Sequence, residues 1–241
     1  MPAVVSQELT AELEAATTDG SRQRDLQILE QVTNLFLSNV AHLADSQIDA
    51  FDGVLIPLIA RSEARALAGR SEALSAIDRA PRQTVFTLAF HEDPLVAGPV
   101  LRKSSFLSNE DLLEIATSRG QQHLLAISDR KSLDEALTDA LMRLGGVEVS
   151  NALARNAGAT FSECGYATLV GRAERDESLA EKLGLRLDIP GSLLRELLDK
   201  VADAVRARFL TAPRPVAREK AAATAKAISS NTVPRKAIDY T

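Results

Sequence analysis

A short motif recurs five times in this sequence. In each copy an apolar helical stretch ends in a basic or amide residue, a turn follows, and an apolar residue opens the next helix. These anchor residues lie 26, 26, 28 and 28 residues apart: Pro81, Leu107, Leu133, Phe161 and Ile189. Such a period is typical of stacked helical repeats, because one pair of helices cannot bury its own apolar face. We therefore predict an all-α chain that contains a right-handed α-solenoid of about five short helical repeats.

The composition supports this class. Of the 241 residues, 45% are hydrophobic and 25% are charged, as in an ordinary globular protein. Aromatic residues make up only 4% and tryptophan is absent, while alanine and leucine are abundant. These residues favour packing between helices over a β-sandwich.

The repeats divide into helix pairs whose ends are marked in the sequence. We place the pairs at 61–78 with 82–91, 94–103 with 108–118, 121–128 with 133–144, 147–155 with 162–175, and 177–184 with 190–209. A hydroxyl residue three positions before an acidic residue predicts N-caps at Ser46, Ser108, Ser132 and Thr160. Glycines at the ends of apolar stretches predict left-handed C-caps at Gly120 and at the pair Gly145 and Gly146.

The pattern changes along the chain and predicts four segments. Residues 1–20 are polar and are expected to form a flexible N-terminus. Residues 21–60 form a helical hairpin that caps the repeats or pairs with a second copy, and Pro57 should kink or split its second helix. Residues 61–210 form the helical repeat domain. Residues 211–241 form a basic linker or tail, or the start of a truncated C-terminal region.

Charge is unevenly spread. The net charge is −5, but residues 1–60 hold nine acidic against two basic residues, and residues 204–241 hold eight basic against two acidic ones. Such polarity can steer contact with a charged partner, or it can mark solvated faces and a loose tail. The acidic total and the scarcity of aromatic residues count against nucleic-acid binding.

The sequence favours a cytoplasmic protein. The single cysteine, Cys164, cannot form an internal disulfide, and the start of the chain lacks the basic and apolar layout of a signal peptide. No apolar run approaches the roughly 18 residues of a membrane span, so we predict no membrane association.

A basic residue recurs just before each anchor, and these residues define the arginine row: Arg79, Arg102, Arg130, Arg155 and Arg186. Equivalent positions in stacked repeats lie along one edge, where guanidinium groups can bind phosphates or an acidic peptide. Alternatively, the row neutralises the negative ends of helices and pairs with nearby acidic residues. Both interpretations stay open in the sequence, and the second needs no ligand.

The sequence predicts no catalytic residues, no cofactor and no metal site. His42, His91 and His123 lack metal-ligand spacing. The cluster His91-Glu92-Asp93 is expected to cap and turn the chain, and Cys164 is expected to be a small half-buried thiol. Phosphate-binding loops, a nucleophile elbow and a zinc-protease helix are all absent from the sequence.

Several segments resemble the bacterial proteins grouped as domain of unknown function 2336. They are LFL at 35–37, LADSQI at 43–48, FDGVL at 51–55, VAGPVLR at 96–102 and LSNEDL at 107–112. The resemblance extends from about 26 to 198. It implies HEAT-like or leucine-rich-variant helical repeats and carries no catalytic residues over to this chain.

These observations predict a non-enzymatic scaffold that binds a protein partner in bacterial regulation or signalling. Two alternatives belong to other classes of function. One is a nucleic-acid-binding repeat protein that uses the arginine row and the basic tail. The other is an enzyme whose site is assembled from separated repeats.

The opening hairpin generates a prediction about assembly. Apolar residues lie on nearly all sides of its first helix, among them Leu35, Phe36, Leu37 and Val40. We expect a homodimer through residues 26–60, whose apparent stability rises with protein concentration. Light scattering should give a dimer mass in the micromolar range, and a monomer mass throughout that range contradicts the prediction.

Overall fold

The protein is described by a computed structural model that covers residues 22–200. Twelve helices lie within this range: α1 (Arg22–Asn39), α2 (Asp45–Arg61), α3 (Ala64–Ser75), α4 (Arg82–Ala89), α5 (Pro94–Lys103), α6 (Asn109–Ser118), α7 (Gln121–Ser128), α8 (Glu135–Leu144), α9 (Val147–Arg155), α10 (Glu163–Ala173), α11 (Glu177–Gly184) and α12 (Gly191–Lys200). The range contains no strand, only an isolated parallel bridge between Leu133 and Ala159. The all-α prediction is confirmed for these residues. The predicted segments 1–20 and 211–241 lie outside them.

The helices predicted for residues 61–200 are all present. Each of the ten helices from α3 to α12 begins within three residues of its predicted start. This agreement follows from the apolar spacing, which marks where each buried face begins.

Contacts divide the chain into two compact units, one ending at Arg130 and the other starting at Lys131. Within each unit, a helix packs against the helix two positions further along the chain. In the first unit these pairs are α1 with α3, α2 with α4, α3 with α5, and α5 with α7; in the second they are α8 with α10, α9 with α11, and α10 with α12. Some neighbouring helices pack together as well, among them α1 with α2 and α10 with α11.

Each unit buries its own apolar core. In the first unit, the rings of Phe36 on α1 and Phe51 on α2 meet edge to face with their centroids 5.1 Å apart. Both rings are almost fully buried within the chain. In the second unit, Leu141, Leu153 and Leu169 have no exposed surface. They lie on α8, α9 and α10, so three successive helices contribute to one core.

Two of the predicted N-caps are displaced by two residues. Ser108 caps α6 as predicted, accepting a hydrogen bond from the Asp111 amide. However, α8 begins after Asp134 and α10 after Ser162, rather than after Ser132 and Thr160. The reason is tertiary. The N–H of Leu133 donates to Gly158 and the N–H of Thr160 donates to the carbonyl of Leu133, so both segments are extended until after this bridge.

The first hairpin also departs from the predicted cap. Helix α2 begins one residue before Ser46, and Ala44 is its N-cap. The N–H of Ala44 donates to the side-chain oxygen of Gln47 over 2.9 Å, which satisfies the start of the helix without a hydroxyl cap. Ser46 therefore lies inside the first turn.

The predicted left-handed glycine caps are wrong. Gly120, Gly145 and Gly146 all have negative φ, at −86°, −87° and −82°, because the next helix starts at once and needs an extended connection. Gly145 is required for a different reason. A Cβ there would lie 2.5 Å from the Leu141 carbonyl oxygen and 2.5 Å from Cγ1 of Val149.

Pro57 neither ends nor splits α2, which continues from Asp45 to Arg61. A proline in a helix removes one donor and crowds the carbonyl four residues earlier, here that of Gly53. Gly53 is exposed and has no side chain, so its carbonyl can turn towards water. The prediction of a split helix is therefore wrong.

The core of the second unit gives a test of its packing. Leu141 is fully buried, whereas Leu144, on the same apolar stripe of α8, is 42% exposed. Leu141→Ala should lower the free energy of unfolding by about 2–5 kcal/mol through the cavity it leaves. Leu144→Ala is the matched control and should change it by no more than about 0.5 kcal/mol. Urea unfolding measures both, and similar losses for the two variants contradict this packing.

Candidate functional site

Five arginines bind backbone carbonyls at the ends of earlier helices. Each lies at or just after the end of one helix, and its guanidinium reaches the end of the helix two positions before it. We call them the carbonyl-binding arginines: Arg79 (to Val40, after α1), Arg119 (to α4), Arg130 (to α5), Arg172 (to α8) and Arg186 (to α9). The last carbonyls of a helix have no partner within it and carry the negative end of the helix dipole. Each arginine thus satisfies an acceptor and places a positive charge at that end.

Distances show how close these contacts are. Arg130 donates to Leu101 O over 2.6 Å and to Ser104 O over 2.8 Å. Arg172 donates to Met142 O over 2.6 Å and to Gly145 O over 3.2 Å. Since the arginine at the end of one helix contacts the end of another, the carboxyl-terminal ends of the two helices in each such pair lie close together.

The structure places the arginine row in two kinds of environment. Arg79, Arg130 and Arg186 belong to the carbonyl-binding arginines. Arg102 and Arg155 lie exposed in the last turns of α5 and α9. The carbonyl contacts account for the recurrence of three members of the row. Binding of a partner by the row stays a prediction.

Sequence analysis missed Arg119 and Arg172. The arginine row consists of basic residues that precede an anchor, and each anchor opens the second helix of a pair. Arg119 and Arg172 lie at the other end of that second helix. A signal for one of them exists in the spacing. Arg119 reaches Phe90 and Arg130 reaches Leu101, and both contacts span 29 residues. A separation of 29 residues thus relates both arginines to the carbonyls that they bind.

Arg186 binds its surroundings through backbone carbonyls, an aromatic ring and a carboxylate. Its side chain is only 6% exposed. It donates to Asn156 O over 2.6 Å and to Ala159 O over 2.8 Å, and its guanidinium carbon lies 4.8 Å from the centre of the Phe161 ring. The Asp188 carboxylate binds it at two points, with Nε to Oδ1 at 2.9 Å and Nη2 to Oδ2 at 2.7 Å. This bidentate geometry is the strong form of an arginine–carboxylate pair.

The electrostatics keep this pair charged. Burial opposes the charge on Asp188, but hydrogen bonds from Arg186 and Tyr166 outweigh it and lower the pKa of the carboxyl. Burial likewise opposes the charge on Arg186, while Asp188 and Tyr166 raise the pKa of its guanidinium above the usual value. Burial, followed by the hydrogen bond to Asp188, raises the pKa of the Tyr166 hydroxyl. The cluster therefore holds a neutral phenol beside a stable ion pair at neutral pH.

A groove of about 620 Å³ lies beside Arg186, between the ends of α9 and α11. Its lining includes Leu185 and Leu187, which are 36% and 48% exposed. Arg155 and Lys182 also line it. We call this feature the α9–α11 groove. It brings two members of the arginine row, Arg155 and Arg186, to one place.

The cluster at residues 91–93 has a structural role, and Cys164 lies on the surface. Asp93 caps α5 by accepting from the Leu95 amide over 2.8 Å, and Nδ1 of His91 accepts from the Asp93 amide, which confirms the prediction that this cluster caps and turns the chain. Cys164 is exposed rather than half-buried, because it lies on the outer side of the first turn of α10.

Neither a metal site nor a membrane span is found in the part of the chain that the structure describes. Between residues 22 and 200, no three His, Cys, Asp or Glu side chains are grouped so that they could hold a metal ion. No helix in the same range has the length and apolar character needed to cross a membrane.

The buried Arg186 guanidinium gives a stability prediction. Arg186→Ala leaves the buried carbonyls of Ala154 and Ala159 without this donor and removes the ion-pair partner of the half-exposed Asp188, which should lower the free energy of unfolding by about 1–3 kcal/mol. Arg102→Ala is the matched control at an exposed helix end and should change it by no more than about 0.5 kcal/mol. Urea unfolding checks both variants. An Arg186→Ala chain as stable as the control shows that the carbonyl contacts do not stabilise the fold.

Comparison with known proteins gives one family. The model of the domain of unknown function 2336 family, described as an uncharacterised protein conserved in bacteria, matches residues 96–238. This range includes the resembling segments at 96–102 and 107–112 and starts after those between 35 and 55. Neither the curated proteins nor the solved structures give a match. Because the model covers more than half of its residues, the chain belongs to the domain of unknown function 2336 family.

Proposed function

We propose that this chain is an α-solenoid of about five repeats that works as a protein–protein interaction scaffold in bacterial regulation or signalling. The packing of most helices on their second successors within both units supports the solenoid. Stacked repeats present extended surfaces to partners, which is the usual work of such folds.

One observation carries the interaction role. Leu185 and Leu187 are exposed on either side of the buried Arg186, next to the α9–α11 groove. Single exposed leucines are common on protein surfaces, whereas two neighbouring ones beside a groove support a partner-binding surface. Tyr166 and Asp188 lie nearby and have shifted pKa values. Burial and their contacts with each other and with Arg186 cause these shifts, so the shifts do not call for a substrate.

The arginine environment favours a protein partner over nucleic acid. Arg79, Arg130 and Arg186 direct their guanidinium groups to backbone carbonyls. Those hydrogen-bond donors are therefore engaged by acceptors of the chain itself, whereas affinity for nucleic acid depends on cations that reach phosphates.

Affinity capture tests the proposed function. The full chain, immobilised and mixed with a bacterial lysate treated with nuclease, should retain a small and reproducible set of proteins identified by mass spectrometry. An unrelated helical protein of similar size and charge is the control. No protein enriched over the control contradicts the scaffold. Salt-sensitive retention of oligonucleotides instead of protein supports the nucleic-acid alternative.

A further inference from the structure

We infer that residues 201–210, the stretch of chain that follows α12, dock in a groove at the ends of α8 and α10 of the same molecule. The groove has a volume of about 530 Å³ and is lined by the ends of these two helices and by the starts of α9 and α11. We call it the α8–α10 groove. Residues 201–210 lie outside the described residues. The surface of the groove, the position of Lys200 and the sequence of the segment support its docking there.

The groove has an apolar surface with room for further side chains. Val147, in the first turn of α9, lines the groove and is 66% exposed. Gly171 of α10 also lines it, and a Cβ on this glycine would meet no atom of another part of the chain within 4 Å. An apolar occupant would fill this open space and remove Val147 from water, which is favourable.

The charged side chains of the lining have contacts within the chain itself. Arg172 donates to two carbonyls at the end of α8, and Asp176 caps α11. Glu174 forms an ion pair with Lys200. Lys200 and, to a smaller extent, Arg175 lower the pKa of the Glu174 carboxyl. None of these groups calls for a charged occupant, so the groove offers mainly apolar contact.

The chain leaves α12 beside this groove. Nζ of Lys200, the last residue of α12, lies 2.5 Å from Oε1 of Glu174, which lines the groove. Helix α10 ends at Ala173, so a continuation of α12 beyond Lys200 runs past the end of α10. Nine further helical residues advance by about 14 Å. The segment is therefore attached at the groove and is long enough to reach across it.

The sequence of the segment continues the apolar face of α12, as expected for the predicted helix at 190–209. Leu198 is buried on α12, which packs against α10. Val201, Val205 and Phe209 follow at intervals of three and four residues, so they fall on the same face of a continuing helix. Beyond the end of α10 this face needs another apolar surface to cover it. The α8–α10 groove supplies one.

The family match favours an occupant from the same chain. It covers residues 96–238, so the segment and the groove belong to the same family domain. The covalent link through Lys200 also gives the segment a high effective concentration at the groove, which a second copy or a separate partner lacks.

A tryptophan at position 209 tests the inference, because the chain has no tryptophan of its own. In the full chain with Phe209→Trp, the emission should be that of a buried indole, protected from quenching by acrylamide. Adding Gly171→Leu fills the groove at a position with open space. It should shift the emission to longer wavelength and raise the quenching constant to that of free tryptophan amide. Gly69→Leu is the matched control, since Gly69 is also an exposed helical glycine with open space around it, and should change neither.

Val147→Glu is a second groove variant with the same expected loss of protection, and circular dichroism checks the folding of every variant. An indole open to solvent in the chain with Phe209→Trp alone overturns the inference. Protection that both groove variants leave unchanged means that the segment packs elsewhere, and it overturns the groove assignment. Protection that appears only as the protein concentration rises assigns the groove to a second copy, and it overturns docking within one molecule.

Discussion

Unsatisfied carbonyls at helix ends are the constraint on which this structure depends. Short helices of eight to eighteen residues multiply such ends, and a buried carbonyl without a donor is costly. Arginines at the ends of later helices donate hydrogen bonds to these carbonyls. Arg130 after α7 binds the Leu101 carbonyl of α5, and Arg172 of α10 binds the Met142 carbonyl of α8. The same contact holds the ends of the two helices together. One interaction therefore satisfies polar groups and joins helices that are separated along the chain.

The most buried of these contacts also shapes the surface beside it. Because Arg186 enters the protein to bind the end of α9, its neighbours Leu185 and Leu187 are left exposed at the groove. The ion pair with Asp188 offsets the free-energy cost of burying the guanidinium. The cation–π contact with the Phe161 ring stabilises the buried guanidinium further. A residue whose first role is structural thus positions the surface to which we assign partner binding.

Apolar spacing predicted the helices well, because burial of one helix face leaves a local and periodic trace in the sequence. It failed where contacts between distant residues decide the outcome. The caps at Ser132 and Thr160 are displaced because Leu133 pairs with a segment about one repeat away. Gly145 is needed for close packing against Leu141 and Val149 rather than for a left-handed turn. Arginine recurrence was visible in the sequence, but the carbonyls that the arginines bind, and the groove next to Arg186, depend on which helices stack.

The most direct test of this account is the mobility of individual guanidinium groups, observed by heteronuclear NMR of the arginine side chains with assignment by single Arg→Lys variants. A guanidinium held by several carbonyls exchanges its protons slowly and gives resolved signals for its terminal nitrogens. We expect this behaviour for Arg130, Arg172 and Arg186, and averaged, rapidly exchanging signals for the exposed Arg102. Equal mobility of Arg186 and Arg102 would contradict the claim that arginine–carbonyl contacts join the helices of this fold.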